Sequence, residues 1–330
     1  MKKLFTLLLT IILIMVFYTK AYPAPENRAV FQLGSDKYSV NSQEQVMDTI
    51  SFLHNNRVFV PVRYLAYACG IGDQDILWDP GTQTITLKLN NKRLLLQAGS
   101  SQLVINRRPV DMDTAPLMMA DRVFLPARWI AEACNYQVEW DQNSKAVLIY
   151  PPGEIKPLPP EQPAVLLVNK NNVLPDDYQP GALDDFNGQL VASALKDPLR
   201  TIFTAAGAQG IKLGLNSGYR DAKSQKIIFN ERVSQLGLKQ ARSLAALPGY
   251  SEHQTGLAVD LEGDSRAYAW LKANCWSYGF ILRYPQGAEQ ITGYAYEPWH
   301  FRYVGRPIAS FMQANDLQTL EEFMDTYIGD

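Results

Sequence analysis

Histidine, cysteine and unbalanced charge are all scarce in this chain, and each shortage closes off a class of function. The 330 residues include 3 His and 3 Cys and carry a formal net charge of -2. A balance so near neutral leaves no basic footprint, so nucleic acid is not an expected partner. Cys69, Cys134 and Cys275 are too few, and odd in number, for a disulfide framework, and their spacings match no thiolate metal site. They read as small buried apolar side chains. What the chain does have is 47% hydrophobic and 19% charged residues. That is a globular composition with length enough for two ordinary domains.

The N-terminus "MKKLFTLLLTIILIMVFYTKA" sets two lysines before a charge-free run from Leu4 to Tyr18, then small residues near Ala21. This is the layout of a secretory signal, assigned to residues 1–24. The run is short of the roughly 20 apolar residues of a full span. Export to a secreted, wall-associated or membrane-associated location is therefore expected, with the membrane a partner only if the signal is retained as an anchor.

An internal repeat follows. "NNRVFVPVRYLAYACG" and "MADRVFLPARWIAEACN" align Arg57, Phe59, Pro61, Arg63, Ala66 and Cys69 with Arg122, Phe124, Pro126, Arg128, Ala131 and Cys134. Each unit predicts a short strand, a helix with proline in its first turn, and a hairpin after a Trp-Asp pair. The "VFVPVRYLA" and "VFLPARWIA" cores resemble the copper amine oxidase N-terminal-like domain over about residues 29–150. That resemblance implies a small α+β scaffold or wall-proximal adaptor. Copper is not implied, because His54 is the one histidine there and reads as a structural or solvated residue.

Residues 151–163, "PPGEIKPLPPEQP", hold six prolines and predict an extended spacer between domains. From 164 to 330 the text becomes a mixture. Residues 186–206 and "SQKIIFNERVSQLGLKQARSLA" predict helix, as does "SRAYAWLKANCWSYGF". "IKLGLNSGYR", "TGLAVDL" and the "EPWHFRYVG" region predict strands. Without regular βαβ spacing this is α+β with an antiparallel sheet.

"SEHQTGLAVDL" carries the chemistry. In a strand Leu257, Val259 and Leu261 share one face, while Gly256, Ala258 and Asp260 share the other. A face of small residues closed by a carboxylate is what a strand shows when a metal or a substrate backbone must approach it. His253 precedes it, and a His with an Asp makes two zinc ligands where a catalytic zinc takes three. His300, in "YEPWHFRYVG", is the candidate third, with Glu297 three residues before it. Pro298 pushes Glu297 toward extended backbone, so a local kink and not a helical turn is expected to join Glu297 to His300. Each short pattern alone arises by chance in many proteins. Trp299, Phe301 and Tyr303 read as packing, Glu262 and Asp264 as a solvated turn, and Arg302 as an ion-pair partner.

"SGYR" at 217–220, "SEHQTGLAVD" and "EPWH", in this order, resemble the VanY-type D-alanyl-D-alanine carboxypeptidases over about residues 164–306. These belong to the zinc peptidase group shared with lysostaphin and the hedgehog signalling domain. The resemblance implies one zinc ion on His253, Asp260 and His300, and Glu297 as general base. It makes Arg220 the holder of the substrate or of its oxyanion, with Ser251 and Gln225 as substrate contacts. Arg220 suits either a free terminal carboxylate or the oxyanion, and both stay open. The expected activity is removal of the terminal D-alanine from peptidoglycan stem peptides. A zinc endopeptidase cutting within the stem, of the L-Ala-D-Glu type, and a non-catalytic zinc-containing wall binder are the alternatives.

Overall fold

The computed structural model describes residues 26–161 and 164–329. The expected signal segment lies outside the described residues. Among the described residues no helix is long and apolar enough to cross a membrane.

In the N-terminal part the two repeats meet along their core strands. Arg57–Pro61 pairs antiparallel with Arg122–Pro126, Val60 opposite Leu125 and Phe59 opposite Pro126. Since Phe59 aligns with Phe124 and Pro61 with Pro126, the pairing is a local twofold, the arrangement in which equivalent residues contact each other reciprocally. The helices that follow, Val62–Ala68 and Ala127–Ala133, start one residue after their prolines. The prolines thus end the strands and cap the helices, instead of lying in the first turn as expected. Two five-stranded antiparallel sheets flank this centre. Cys69 and Cys134, equivalent in the repeats, are both buried and free, as is Cys275. The hydrogen bond to Cys134 and burial push the Cys69 thiol up.

Residues 151–161 contain no helix or strand. The C-terminal part is built on a four-stranded antiparallel sheet in the order Gly214–Ser217, Ala258–Glu262, His300–Tyr303, Phe280–Leu282. Val259, Leu261, Phe280 and Phe301 turn one face into an apolar core with Leu199, Ile202 and Leu271 from the helices. The central strands place Asp260 directly opposite His300 and Ala258 opposite Arg302, so the other face carries the polar side chains. Helix Ala222–Leu236 is capped by Asp221, which accepts from Ser224 N at 2.6 Å, and it breaks at Gly237, φ +77°. Helix Ser265–Asn274 is capped by Asp264, which accepts from Ala267 N at 2.8 Å. Asp264 therefore holds a helix end instead of a loose solvated turn.

The helix expected over 186–206 begins only at Lys196, and Leu183–Phe186 and Gln189–Ala192 form a hairpin. Asn187 and Gly188 take positive φ, 51° and 82°, as a two-residue hairpin turn requires. The Asn-Gly signal outweighed the apolar spacing around it.

A third cluster joins the two parts. Phe52, Phe59 and Phe124 of the repeat strands pack with Ile281, Ile308, Phe311, Leu320 and Phe323. The Phe52 ring meets Phe124 at 4.9 Å, Phe311 at 5.3 Å and Tyr327 at 5.6 Å between centroids.

Candidate metal centre

His253 sits in the short 3₁₀ turn Glu252–Thr255, which ends at Gly256 in left-handed backbone, φ +71°. Its Nδ1 lies 2.7 Å from the carbonyl of Gly218. A carbonyl only accepts, so Nδ1 carries the proton and Nε2 presents its lone pair toward Asp260 Oδ2, 3.3 Å away. Gly218 has to be glycine here, because a Cβ would stand 2.2 Å from the Leu190 carbonyl oxygen. The 183–192 hairpin thus presses the "SGYR" loop against the histidine turn, and Arg220 N donates to the His253 carbonyl.

Strand pairing brings in the rest. Asp260 faces His300, whose Nδ1 is 3.0 Å from Asp260 Oδ1, and the two imidazoles meet edge to face at 5.0 Å. The turn at Pro298–Trp299 closes with His300 N donating to Glu297 O, and Glu297 Oε2 comes within 3.6 Å of His300 Nδ1. The kink expected around Pro298 is what joins these two residues.

The residues fit a metal ion. One ligand atom from each of His253, Asp260 and His300 lies within 4.8 Å of the others. Ligands about 2.1 Å from a tetrahedral centre stand about 3.4 Å apart, close to the 3.0 and 3.3 Å separations on either side of Asp260. Asp260 Oδ1 is buried with no hydrogen-bond partner among the described residues. A carboxylate and an imidazole this near yet off hydrogen-bond alignment are aimed at a common third point.

Electrostatics is dominated by burial. Burial alone would raise the Asp260 carboxyl, but the His253 and His300 rings beside it hold it well below the usual range. Burial pushes the Glu297 carboxyl up to about 7, with His300 and Arg220 opposing and Asp260 reinforcing the rise. For His300 the desolvation that would lower it is outweighed by Asp260 and Glu252, which raise it to about 9.

These side chains line a cavity of about 170 Å³ walled by Ser251, Tyr284, Tyr294 and Trp299. It adjoins a groove of about 710 Å³ that shares Arg220, Asp260 and Trp299 with it. Arg220 Nη1 donates to Gln225 Oε1 and Nη2 to Ser217 Oγ, both at 2.9 Å. Gln225, expected as a substrate contact, lines the same cavity; its Nε2 donates to the Ala246 carbonyl, so this buried amide also orients Arg220. Ser251 is buried in the wall. Phe301 packs in the core, whereas Trp299 is 41% exposed at the cleft, in place of the packing expected of it.

Sequence reasoning missed Glu252, Arg283 and Tyr284. Glu252 is buried next to His253, with Oε2 3.7 Å from His300 Nε2. Arg283 donates to it at 2.8 Å and Arg302 at 2.9 Å, the latter pair being the partner expected for Arg302. Tyr284 lies over His300 with centroids 4.8 Å apart. The signal for Arg283 was available: it closes the apolar run Phe280–Leu282 with a charge, as Asp260 closes its own strand.

An imidazole–carboxylate–imidazole set from a turn and two adjoining strands, with a buried carboxylate at its side and a guanidinium across a cleft, is a donor set that could hold a metal ion. The profile of the D-alanyl-D-alanine carboxypeptidase family VanY matches residues 188–306, and that of the copper amine oxidase N-terminal domain matches 23–74 and 39–149. The chain is 35% identical over 178 residues to the bifunctional D-Ala-D-Ala dipeptidase and D-Ala-D-Ala carboxypeptidase VanXYC of Enterococcus gallinarum, covering 48% of this chain and 92% of that protein. It is 36% identical over 178 residues to a D-alanyl-D-alanine carboxypeptidase of Enterococcus faecalis, covering 49% of this chain and 66% of that one. Among solved structures, a mutant of the vancomycin resistance D,D-pentapeptidase VanY in complex with Zn(II) matches at 35% identity and TM-score 0.46, over 48% of this chain and 97% of that one. The chain belongs to the VanY D-alanyl-D-alanine carboxypeptidase family. It carries in addition a copper amine oxidase N-terminal-type domain. It spans 66% of the length of the E. faecalis relative.

Proposed function

We propose that this chain is an exported zinc-dependent D,D-carboxypeptidase that removes the terminal D-alanine from peptidoglycan stem peptides. The observation that carries this reading is the convergence of His253, Asp260 and His300 within 4.8 Å, with the Glu297 carboxylate beside them in one cleft. Membership of the family supports it, as do relatives named for action on D-Ala-D-Ala.

His253, Asp260 and His300 would hold one ion. Bound there, zinc would supply Lewis acidity that lowers the pKa of water toward about 7 and polarises a carbonyl. Glu297, raised to about 7 by burial, is poised to take a proton from the attacking water. Returning that proton to the amine of the departing D-alanine completes its cycle, and the amide bond is exchanged for a carboxylate and a free amine. Arg220 is held by Gln225 and Ser217 and lines the cleft. The guanidinium fork matches the free carboxylate of a terminal D-alanine, and the same position serves a developing oxyanion. The 170 Å³ cavity suits one small residue, and the wider groove suits the stem that precedes it.

The test is incubation of the zinc-loaded protein with a stem pentapeptide and mass spectrometry of the products. Tetrapeptide plus free D-alanine is expected. No release by folded, zinc-loaded protein rejects the reading, and release only from a tetrapeptide reassigns the linkage that is cut.

A further inference from the structure

Behind His300 lies a charge cluster that meets the cleft only through Glu252. Arg283 is fully buried and uses all three guanidinium nitrogens: Nε donates to Glu252 Oε1 at 2.8 Å, Nη1 to Glu321 Oε2 at 2.8 Å, and Nη2 to Glu321 Oε1 at 2.7 Å. Arg302 adds a second bond to Glu252 Oε1, at 2.9 Å, and donates to the Leu166 carbonyl. Asn169 Nδ2 donates to Glu321 Oε1 at 2.9 Å. Two cations and two carboxylates balance. What is left over is Glu252 Oε2, which faces His300 Nε2 across 3.7 Å, and neither atom has a hydrogen-bond partner among the described residues.

Glu321 belongs to the short helix Leu320–Phe323, which begins at a capping box between Thr319 and Glu322. Leu320 and Phe323 on that helix are fully buried in the cluster formed with Phe52, Phe59 and Phe124 of the repeat strands. Glu321 lies beyond the family match, which ends at residue 306, and Asn169 and Leu166 lie before its start at 188. The outer members of the cluster thus come from outside the stretch that the family profile matches.

We propose that Glu321 is a positioning residue for the metal centre. Holding Arg283 by two bonds, it fixes the Glu252 carboxylate opposite His300 Nε2, and the repeat strands hold the helix that carries it. The ring nitrogen opposite a metal-facing one sets ring orientation and ligand basicity, and loss of such a partner costs about 10–100-fold in metal affinity. The proposal rests on the reading of His253, Asp260 and His300 as ligands. It goes beyond that reading by coupling the site to the N-terminal repeats.

Zinc affinity of the full chain, freed of metal, is measured by competition with a fluorescent chelator, and the absorption spectrum of the cobalt-loaded protein reports ligand geometry. Thermal unfolding in chelator records stability separately. Glu321→Gln is expected to weaken zinc binding roughly 10–100-fold and to shift the cobalt bands. Phe52→Leu, remote from the metal, is expected to act in the same direction by a smaller factor. Glu132→Gln, in an exposed pair with Arg128, is expected to change neither. Should Glu321→Gln fail to fold, Glu321→Asp keeps the charge, shortens the reach and is held to the same criterion. Lower stability with wild-type zinc affinity and wild-type cobalt bands overturns this inference alone. Absence of zinc binding by the wild type overturns the metal reading and this inference with it.

Discussion

In the repeat domain Arg57 and Arg122, equivalent residues of the two repeats, end in ion pairs with Asp113 and Asp48 whose side chains are 39–55% exposed. In the C-terminal half Arg283 and Arg302 end in ion pairs with Glu252 that are at most 2% exposed. The same residue types meet in both places, yet the energetics differ. A surface pair keeps most of its hydration and contributes up to about 1 kcal/mol. Taking ions into the interior costs several kcal/mol each, so breaking one partner leaves a charge with nowhere to go. The repeat domain builds its core from apolar side chains and leaves charge outside. The peptidase half accepts buried charge where it adjoins His300, and burial there keeps competing waters from the groups that orient the ring.

The comparison can be broken hardest at the site itself. Removal of metal with a chelator is expected to abolish D-alanine release, and zinc to restore it; activity that survives at zero measured metal content would count against the triad. Glu297→Gln is expected to cost about 10²–10⁴-fold in kcat. Zinc content should stay at the wild-type level, and a parallel loss of zinc would make Glu297 a ligand instead of a base.

Stability then separates the halves. Arg283→Met leaves Glu321 without its cation and Glu252 with Arg302 alone, and is expected to cost about 3–5 kcal/mol in denaturant unfolding. Phe52→Ala, in the core shared by both halves, is expected to cost a similar 3–5 kcal/mol or so. It should do so in one cooperative transition, and two resolved transitions would mean that the halves unfold independently. Arg57→Met, the surface counterpart, is expected to cost about 1 kcal/mol or less. If its cost equals that of Arg283→Met, the contrast between the halves is lost.

Much of this was legible in residue order. The repeat showed in paired "VF-P-R" cores, and its helices and hairpins in local proline and β-branched signals. The metal candidates showed because Asp260 breaks an apolar alternation and because histidine is scarce enough for His253 and His300 to stand out. The 186–206 segment was misread because Asn187–Gly188 was given too little weight against the spacing of apolar residues. Glu252, Arg283 and Glu321 escaped because burial of a charge is a pairwise property. A glutamate next to a histidine looks solvated until partners 31 and 50 residues away along the chain arrive. Gln225 lines the cavity and also holds Arg220, and that second role depends on a contact that no short pattern records.

Local chemistry written into the chain determines its repeats, its strand alternation and its set of three candidate ligands, because those depend on neighbours within a few residues. The tertiary structure alone decides the rest. Antiparallel register puts Asp260 opposite His300, and the Gly218 carbonyl sets the tautomer of His253. The tail folds back between sheet and repeats, so that Glu321 reaches Arg283. Such contacts form between segments far apart in sequence, where no short pattern records which charge will lose its water or which partner will replace it.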